Sequence, residues 1–202
     1  VLTFCICLIV ANLVEIKTID LGPLTITAGV IIFPLSYIIN DCVVEVYGFQ
    51  RAKLMIWLGF ASSLFVTLAL QLSIALPGSA EWTSQTAMQE IYGGVPRIVA
   101  ASFLAFLCGS MVNAYTMERM KRSGNDARRF SFRAILSTVY GESIDSLIFF
   151  PIAFGGVLSW RMIVSLMVTQ AVIKTLYEVM ILPVTILAVG RLRKVERMVG
   201  HA

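Results

Sequence analysis

The sequence has little charge and almost no histidine. Only 14% of its 202 residues are charged, whereas 58% are hydrophobic, and the mean hydropathy is +0.85. Soluble domains are about half apolar and about a quarter charged. A water-soluble core of this size has no place for so much apolar surface, so the composition predicts a surface that faces lipid. The single histidine, His201, excludes metal sites and catalytic triads that are built on histidine.

Cysteine motifs are also absent. The four cysteines all lie in apolar stretches, and none has the CxxC spacing of a metal or redox site. We therefore interpret them as small buried thiols and expect neither disulfides nor a metal, and no cofactor. The chain is apolar from Val1 and lacks an initiator methionine, so we expect the natural chain to begin further upstream. No small-residue cleavage site follows, which argues against a cleaved signal peptide.

Six apolar stretches are present instead. They predict an all-α membrane protein with one polytopic domain over residues 1–202, because a helix needs about 20 residues to cross a bilayer. Pro34 and Pro183 lie inside two of the stretches and predict broken or kinked helices, with an ordinary kink as the simpler alternative. Residues 79–96 are polar and predict a short surface helix and loop. The predicted spans are residues 1–14, 24–46, 54–76, 98–117, 134–157 and 162–189.

The basic residues indicate an orientation. Twelve of the sixteen lysines and arginines fall in loops on one side of the predicted spans, so the positive-inside rule places both termini in the cytoplasm. Because these residues lie in short loops between apolar stretches, the net charge of +4 is better explained by topology than by nucleic-acid binding. The twelve are Arg51, Lys53, Arg119, Lys121, Arg122, Arg128, Arg129, Arg133, Arg191, Arg193, Lys194 and Arg197.

Charged residues inside the predicted spans are the strongest functional signal. A charge near the bilayer centre costs from about 2.5 kcal/mol upward, so such residues usually face the bundle interior, pair with one another and mark a substrate path. Each pair has helical spacing and shares a face. The pairs are Asp41 with Glu45, Glu142 with Asp145, and Lys174 with Glu178, which has Gln170 one turn earlier.

Structural roles are the alternative for several of these residues. Glu45 is close enough to Arg51 to be an interfacial carboxylate, and Lys174 and Glu178 fit a structural ion pair, since removing one partner of such a pair is costly. Asn12 and Asn113 fit either hydrogen bonding between helices or a site. The span with Asn12 and the span with Asn113 each begin a set of three spans, and the two sets are loosely similar in sequence. This similarity predicts two halves with inverted topology.

The chain resembles the vitamin uptake transporter family. The resemblance is most specific in Phe-Pro-Leu-Ser-Tyr-Ile-Ile-Asn-Asp over residues 33–41 and in Glu-Val-Tyr-Gly over residues 45–48. It extends over essentially the whole chain. One departure is Glu142, where the family is expected often to have glutamine. Further matches are Pro96, Arg97, Asn113, Lys121, Asp145, Ser146, Phe149, Gln170, Lys174, Tyr177, Glu178 and Pro183.

The resemblance implies a function, since the best-known members of the family are queuosine precursor transporters. It implies six spans and import of 7-cyano-7-deazaguanine or 7-aminomethyl-7-deazaguanine across the bacterial inner membrane by alternating access. A carboxylate accepts the adjacent N–H and amino groups of a guanine-like edge, an amide serves the ring carbonyl, and aromatic rings stack on the base. The expected substrate-binding residues are Asp41, Glu45, Asn113, Glu142, Asp145, Gln170, Lys174 and Glu178, with Tyr37, Phe149 and Tyr177 as stacking candidates.

Other functions remain open at this stage. One alternative is a substrate-binding subunit of a larger ATP-driven vitamin importer. The chain has no Walker motif for ATP binding, so a partner protein would have to supply the energy. A membrane protease using Asp41 and Asp145 lacks a supporting GxGD-like motif, and a purely structural membrane protein leaves the buried charges unexplained. We expect a transporter and no enzyme, with the deazaguanine and the lipid bilayer as partners, no nucleic acid, and a homodimer as a further partner to consider.

Overall fold

The computed structural model describes residues 1–22, 24–121 and 127–199, and helix accounts for 81% of the chain. Within these ranges several side chains lie outside the description. They are those of Pro34, Tyr37, Asp41, Glu45, Phe49, Ala114, Met117, Glu118, Glu178, Leu182, Thr185, Ile186 and Ala188, and those of residues 121, 127–135 and 193–199, while His201 lies beyond the description altogether. The helices are α1 (Leu2–Val14), α2 (Phe33–Tyr47), α3 (Phe49–Ala75), α4 (Gln85–Tyr92), α5 (Val95–Lys121), α6 (Ala127–Phe154) and α7 (Trp160–Val199).

Three helical stretches are long and apolar enough to cross a membrane by length and composition, namely Gln50–Ala75, Gln85–Asn113 and Trp160–Ile181. On α3, Leu64, Phe65 and Leu68 are exposed, as expected for a surface that contacts lipid. The helical character of the prediction is confirmed, and a total of six spans stays a prediction. The predicted surface helix is present as α4, which has no buried residue.

The stretch predicted as the second span is not one helix. It begins with β2 (Leu24–Thr27), which pairs antiparallel with β1 (Thr18–Leu21) in the register Thr18 to Thr27. A 3₁₀ helix (Ala28–Ile31) connects this hairpin to α2. Threonine and isoleucine provide five of the eight residues of the two strands, and such β-branched residues favour extended backbone. Gly22 has a φ of +64° in the turn, which glycine adopts without strain.

The two prolines singled out in the sequence behave differently. Pro34 lies in the first turn of α2, where a missing backbone N–H costs nothing, so the interruption falls just before it. Helix α7 continues through Pro183 to Val199 and is not broken there. The predicted inverted repeat is not confirmed and stays a prediction, since the connection between α5 and α6 lies outside the described residues.

Two apolar clusters hold the bundle together. One joins α5, α6 and α7 around Phe149, Phe150 and Ile163, and the other joins α1 and α3 around Phe4 and Met55. Cys5, Cys7 and Cys42 are buried, Cys108 is partly buried, and all four are free thiols. The polar residues described next lie where the end of α1, the hairpin, α2, α5, α6 and α7 converge.

Arginine 97 fastens the beginning of α5 to the end of α6. Its guanidinium group donates one hydrogen bond to the carbonyl of Ile152 and another, 2.5 Å long, to the carbonyl of Gly155. The last carbonyls of a helix have no partner within the helix, and they carry the negative end of its dipole. Arg97 therefore caps α6, which gives this residue of the family resemblance a structural role.

Candidate functional site

Lysine 174 is the centre of a buried cluster of charges. Its ammonium group on α7 lies 2.7 Å from Oδ2 of Asp145 and 3.3 Å from Oε2 of Glu142, both on α6. The three side chains are only 11%, 9% and 7% exposed. The spacing of Glu142 and Asp145 places both carboxylates on one face of α6, as the sequence predicts. The ion pair that the structure describes for Lys174 thus joins two helices, rather than residues of α7 alone.

An aromatic ring completes the surroundings of this ammonium group. Nζ of Lys174 lies 4.7 Å from the centre of the Phe33 ring, at the beginning of α2. A cation over an aromatic face is stabilised by the quadrupole of the ring. Lys174 therefore contacts α2 as well as α6, and its position depends on both helices.

A second polar group connects α1, the hairpin and α7. The hydroxyl of Thr27 donates a 2.6 Å hydrogen bond to Oε1 of Glu15, which directly follows α1, and it accepts a hydrogen bond from Nε2 of Gln170. Glu15, Thr27 and Gln170 are 6%, 0% and 1% exposed. Gln170 lies one turn before Lys174 on α7, so one face of this helix serves both polar groups.

A glycine makes room for the carboxylate of Glu15. A Cβ atom built on Gly29 would lie 1.7 Å from Oε2 of Glu15 and 3.2 Å from the carbonyl oxygen of Ala11. A side chain at this position would force the carboxylate of Glu15 to move, because real Cβ atoms keep normal van der Waals distances. Gly29, the second residue of the 3₁₀ helix after the hairpin, thus allows the buried carboxylate to lie against the backbone.

A narrow cavity lies between the two polar groups. The cavity is small, with a volume of about 10 Å³, which is close to the least space that can hold one water molecule. The hydroxyl of Ser102 is buried and has no hydrogen-bond partner among the described residues. The cavity is lined by Glu15, Val30, Phe33, Ser102, Asp145, Phe149, Phe150, Gln170 and Lys174.

Close packing of α5 against α6 positions the acidic face of α6. A Cβ atom added to Gly109 would lie 2.9 Å from the carbonyl oxygen of Gly141 and 3.2 Å from Cβ of Asp145. One added to Gly141 would lie 3.0 Å from Cβ of Asn113. Small residues at such a contact let two helix backbones approach each other in a membrane. This contact brings the Asp145 backbone directly against α5.

Chemically, the arrangement favours a ligand that donates hydrogen bonds. The described polar residues include three carboxylates, of Glu15, Glu142 and Asp145, and one ammonium group, of Lys174. The carboxyl groups thus outnumber the ammonium group three to one. Phe33, Phe149 and Phe150 contribute aromatic surface beside these charges. Donors and flat rings are therefore the ligand features that this site is equipped to bind.

The structure brings together part of the predicted site. Asp145, Phe149, Gln170 and Lys174 line the cavity, and Glu142 contacts Lys174. Asn113 lies beside Gly141, and neither it nor Tyr177 is among the lining residues. The side chains of the remaining four predicted site residues lie outside the described part of the structure. Those four are Tyr37, Asp41, Glu45 and Glu178.

Sequence reasoning missed several lining residues, of which Glu15 is the most important. It lies just outside the first predicted span, residues 1–14. The sequence contains a signal for it, because Asn12 and Glu15 have the same i, i+3 spacing as Glu142 and Asp145. In the structure Asn12 and Glu15 are both buried. Neither polar atom of the Asn12 side chain has a hydrogen-bond partner among the described residues. The other missed lining residues are Val30, Phe33, Ser102 and Phe150.

Comparison with known proteins adds independent evidence. Residues 27–188 match the family model described as "Putative vitamin uptake transporter". The chain is 31% identical over 147 residues to the "Probable queuosine precursor transporter" of Bacillus subtilis, covering 73% of this chain and 64% of the relative. It is 29% identical over 135 residues to the "Queuosine precursor transporter" of Escherichia coli, covering 67% of this chain and 56% of the relative.

The chain thus spans less than two thirds of the length of each of these two relatives. No solved structure matches it. The family and both relatives are described as transporters, not as enzymes. The family model covers most of the chain, including the hairpin residue Thr27 and the face of α7 that carries Gln170 and Lys174. The chain belongs to the vitamin uptake transporter family.

Proposed function

We propose that the protein imports a queuosine precursor, 7-cyano-7-deazaguanine or 7-aminomethyl-7-deazaguanine, across the bacterial inner membrane by alternating access. The observation that carries the proposal is the buried cluster of Lys174 with Asp145 and Glu142 beside the cavity. The names of the two relatives support the substrate class. Six spans, cytoplasmic termini and a homodimer belong to the same proposal.

In this proposal the cavity widens during alternating access to admit the deazaguanine, whose ring then lies against Phe149 or Phe33. The donor groups of the base face the carboxylates of the site, and the amide of Gln170 serves the ring carbonyl. Asp41, Glu45 and Glu178 complete the acidic lining, Asn113 adds a neutral contact, and Tyr37 or Tyr177 stacks on the base. The aminomethyl precursor is a cation, which the surplus of carboxylates favours.

Uptake of labelled precursor by cells that cannot synthesise it tests this function. We expect Asp145→Ala to lower the initial uptake rate at least tenfold, because it removes the carboxylate 2.7 Å from Lys174 and leaves a buried cation without its nearest partner. The matched control is Glu90→Ala, which removes an exposed carboxylate on α4 and should leave uptake unchanged. Protein levels in the membrane are measured for both variants.

Uptake that survives Asp145→Ala at the wild-type rate would refute the assignment of the site. A reconstituted chain that takes up precursor into liposomes without another protein would exclude an ATP-driven complex. Uptake that depends on an imposed proton or sodium gradient in the same liposomes identifies the coupling ion.

A further inference from the structure

The three carboxylates of the described site differ in their partners. Asp145 and Glu142 both contact the ammonium group of Lys174. The hydrogen bond described for Glu15 comes from the neutral hydroxyl of Thr27, and among the described side chains no ion pair reaches it. A ligand that approaches Asp145 has to displace a cation, whereas a ligand that approaches Glu15 does not.

The position of Glu15 also suits a ligand. Its side chain lines the cavity opposite α6, and it is 6% exposed. Thr27 and Gly29 determine the orientation of the carboxylate, the former through a 2.6 Å hydrogen bond and the latter by close packing. A carboxylate oxygen that accepts one hydrogen bond still has capacity for another. Glu15 is therefore a preorganised acceptor.

We infer that Glu15 is the carboxylate that binds the guanine-type edge of the substrate, by accepting its ring N–H and its neighbouring amino group. The inference rests on the proposed function and adds a specificity residue to it. Phe33 and Phe149 bound the ring, and Lys174 stays with Asp145 while the edge is bound. Glu15 then distinguishes guanine-type bases from analogues that lack the amino group of the base.

The test measures binding of two ligands to the purified protein in detergent. One is 7-cyano-7-deazaguanine, and the other is its analogue with hydrogen in place of the 2-amino group. We expect the wild type to prefer the first at least tenfold, since a hydrogen bond to a charged group is lost with the second. Glu15→Gln keeps the shape but loses the charge, and it should reduce this preference to about threefold or less.

Thr27→Val is the matched control. It removes the hydroxyl that holds Glu15 but retains the carboxylate, so we expect both ligands to bind more weakly and the preference between them to persist. If Glu15→Gln weakens both ligands equally and keeps the full preference, Glu15 only anchors the hairpin and the inference is overturned. If the wild type binds neither ligand, the proposed function fails, and this inference fails with it.

A second measurement uses the wild type, in case Glu15→Gln does not fold. Dicyclohexylcarbodiimide modifies carboxylates in apolar surroundings, and mass spectrometry quantifies the modified peptide. We expect saturating 7-cyano-7-deazaguanine to slow modification of Glu15 at least tenfold, while the analogue without the 2-amino group protects Glu15 less at the same concentration. Equal modification of Glu15 with and without the ligand overturns the inference.

Discussion

Replacing Lys174 with methionine should destabilise the protein strongly, because the change leaves Asp145 and Glu142 buried without their shared cation. Breaking a buried ion pair by removing one partner costs about 3–5 kcal/mol. In a chain of about 200 residues each kcal/mol shifts the melting temperature by about 2–4 °C. We therefore expect Lys174→Met to lower the apparent melting temperature by about 6–20 °C.

A second substitution should recover much of this loss. Asp145 is the closer carboxylate to Lys174, at 2.7 Å against 3.3 Å for Glu142, so it loses the most electrostatic stabilisation in Lys174→Met. Adding Asp145→Asn removes this unpaired negative charge. We expect the double variant to be more stable than Lys174→Met alone, as a double-mutant cycle would show. The control is Lys53→Met, an exposed lysine on α3, which should change stability by less than about 0.5 kcal/mol.

The assay is thermal unfolding in detergent, followed by the fraction of protein that remains monodisperse in size-exclusion chromatography. A Lys174→Met variant that melts at the wild-type temperature would refute the reasoning, since two buried carboxylates would then need no cation. A double variant that is no better than the single one would show that packing of the lysine stem, and not its charge, is what matters.

Two further predictions concern the frame of the site. Gly29→Ala places a methyl group 1.7 Å from the Glu15 carboxylate, so we expect a loss of about 1–3 kcal/mol in thermal unfolding. Gly190→Ala, where an added Cβ meets nothing within 4 Å, should be neutral or stabilising, and equal effects of the two changes would contradict the packing argument. Arg97→Met removes the donors to two carbonyls at the end of α6 and should cost about 1–3 kcal/mol, whereas an unchanged melting temperature would show that water replaces this cap.

The sequence alone predicted the acidic face of α6 because helical spacing is a local property. Glu142 and Asp145 share a face in any helix, and the cost of burying their charges predicts that they find a partner. Which partner they find is a tertiary property. Lys174 was considered with Glu178 on its own helix, yet the described contacts of its ammonium group lead to α6 and to Phe33. Spacing along one helix carries no information about the neighbouring helix.

The hairpin was missed because hydropathy dominated the interpretation of residues 24–46. A long apolar stretch predicts a helix in a membrane, where every backbone group needs a hydrogen bond. The strand Leu24–Thr27 meets that requirement by pairing with Thr18–Leu21. A local signal existed in the β-branched residues on both sides of Gly22. The signal extends over a polar loop and the beginning of an apolar stretch, so neither segment taken alone predicts a hairpin.

The role of Glu15 cannot be predicted from local sequence either. Its burial depends on Thr27, twelve residues later, on the small size of Gly29, and on the cavity formed with α6 and α7. None of these contacts is periodic, so no pattern of helix or strand predicts them. A carboxylate that immediately follows an apolar helix looks like a residue of a solvated loop until the chain is folded.

The hydrogen bond between Thr27 and Gln170 has a consequence for how the protein is made. The two residues are 143 positions apart, and a ribosome adds about 5–20 residues per second, so Thr27 waits about 7–30 s for its partner to be synthesised. During that time the hairpin and the carboxylate of Glu15 have no α7 to cover them. The candidate site is therefore completed only after α7 has been synthesised, and a nascent chain released before that point would expose the unfinished site to the quality control of the cell.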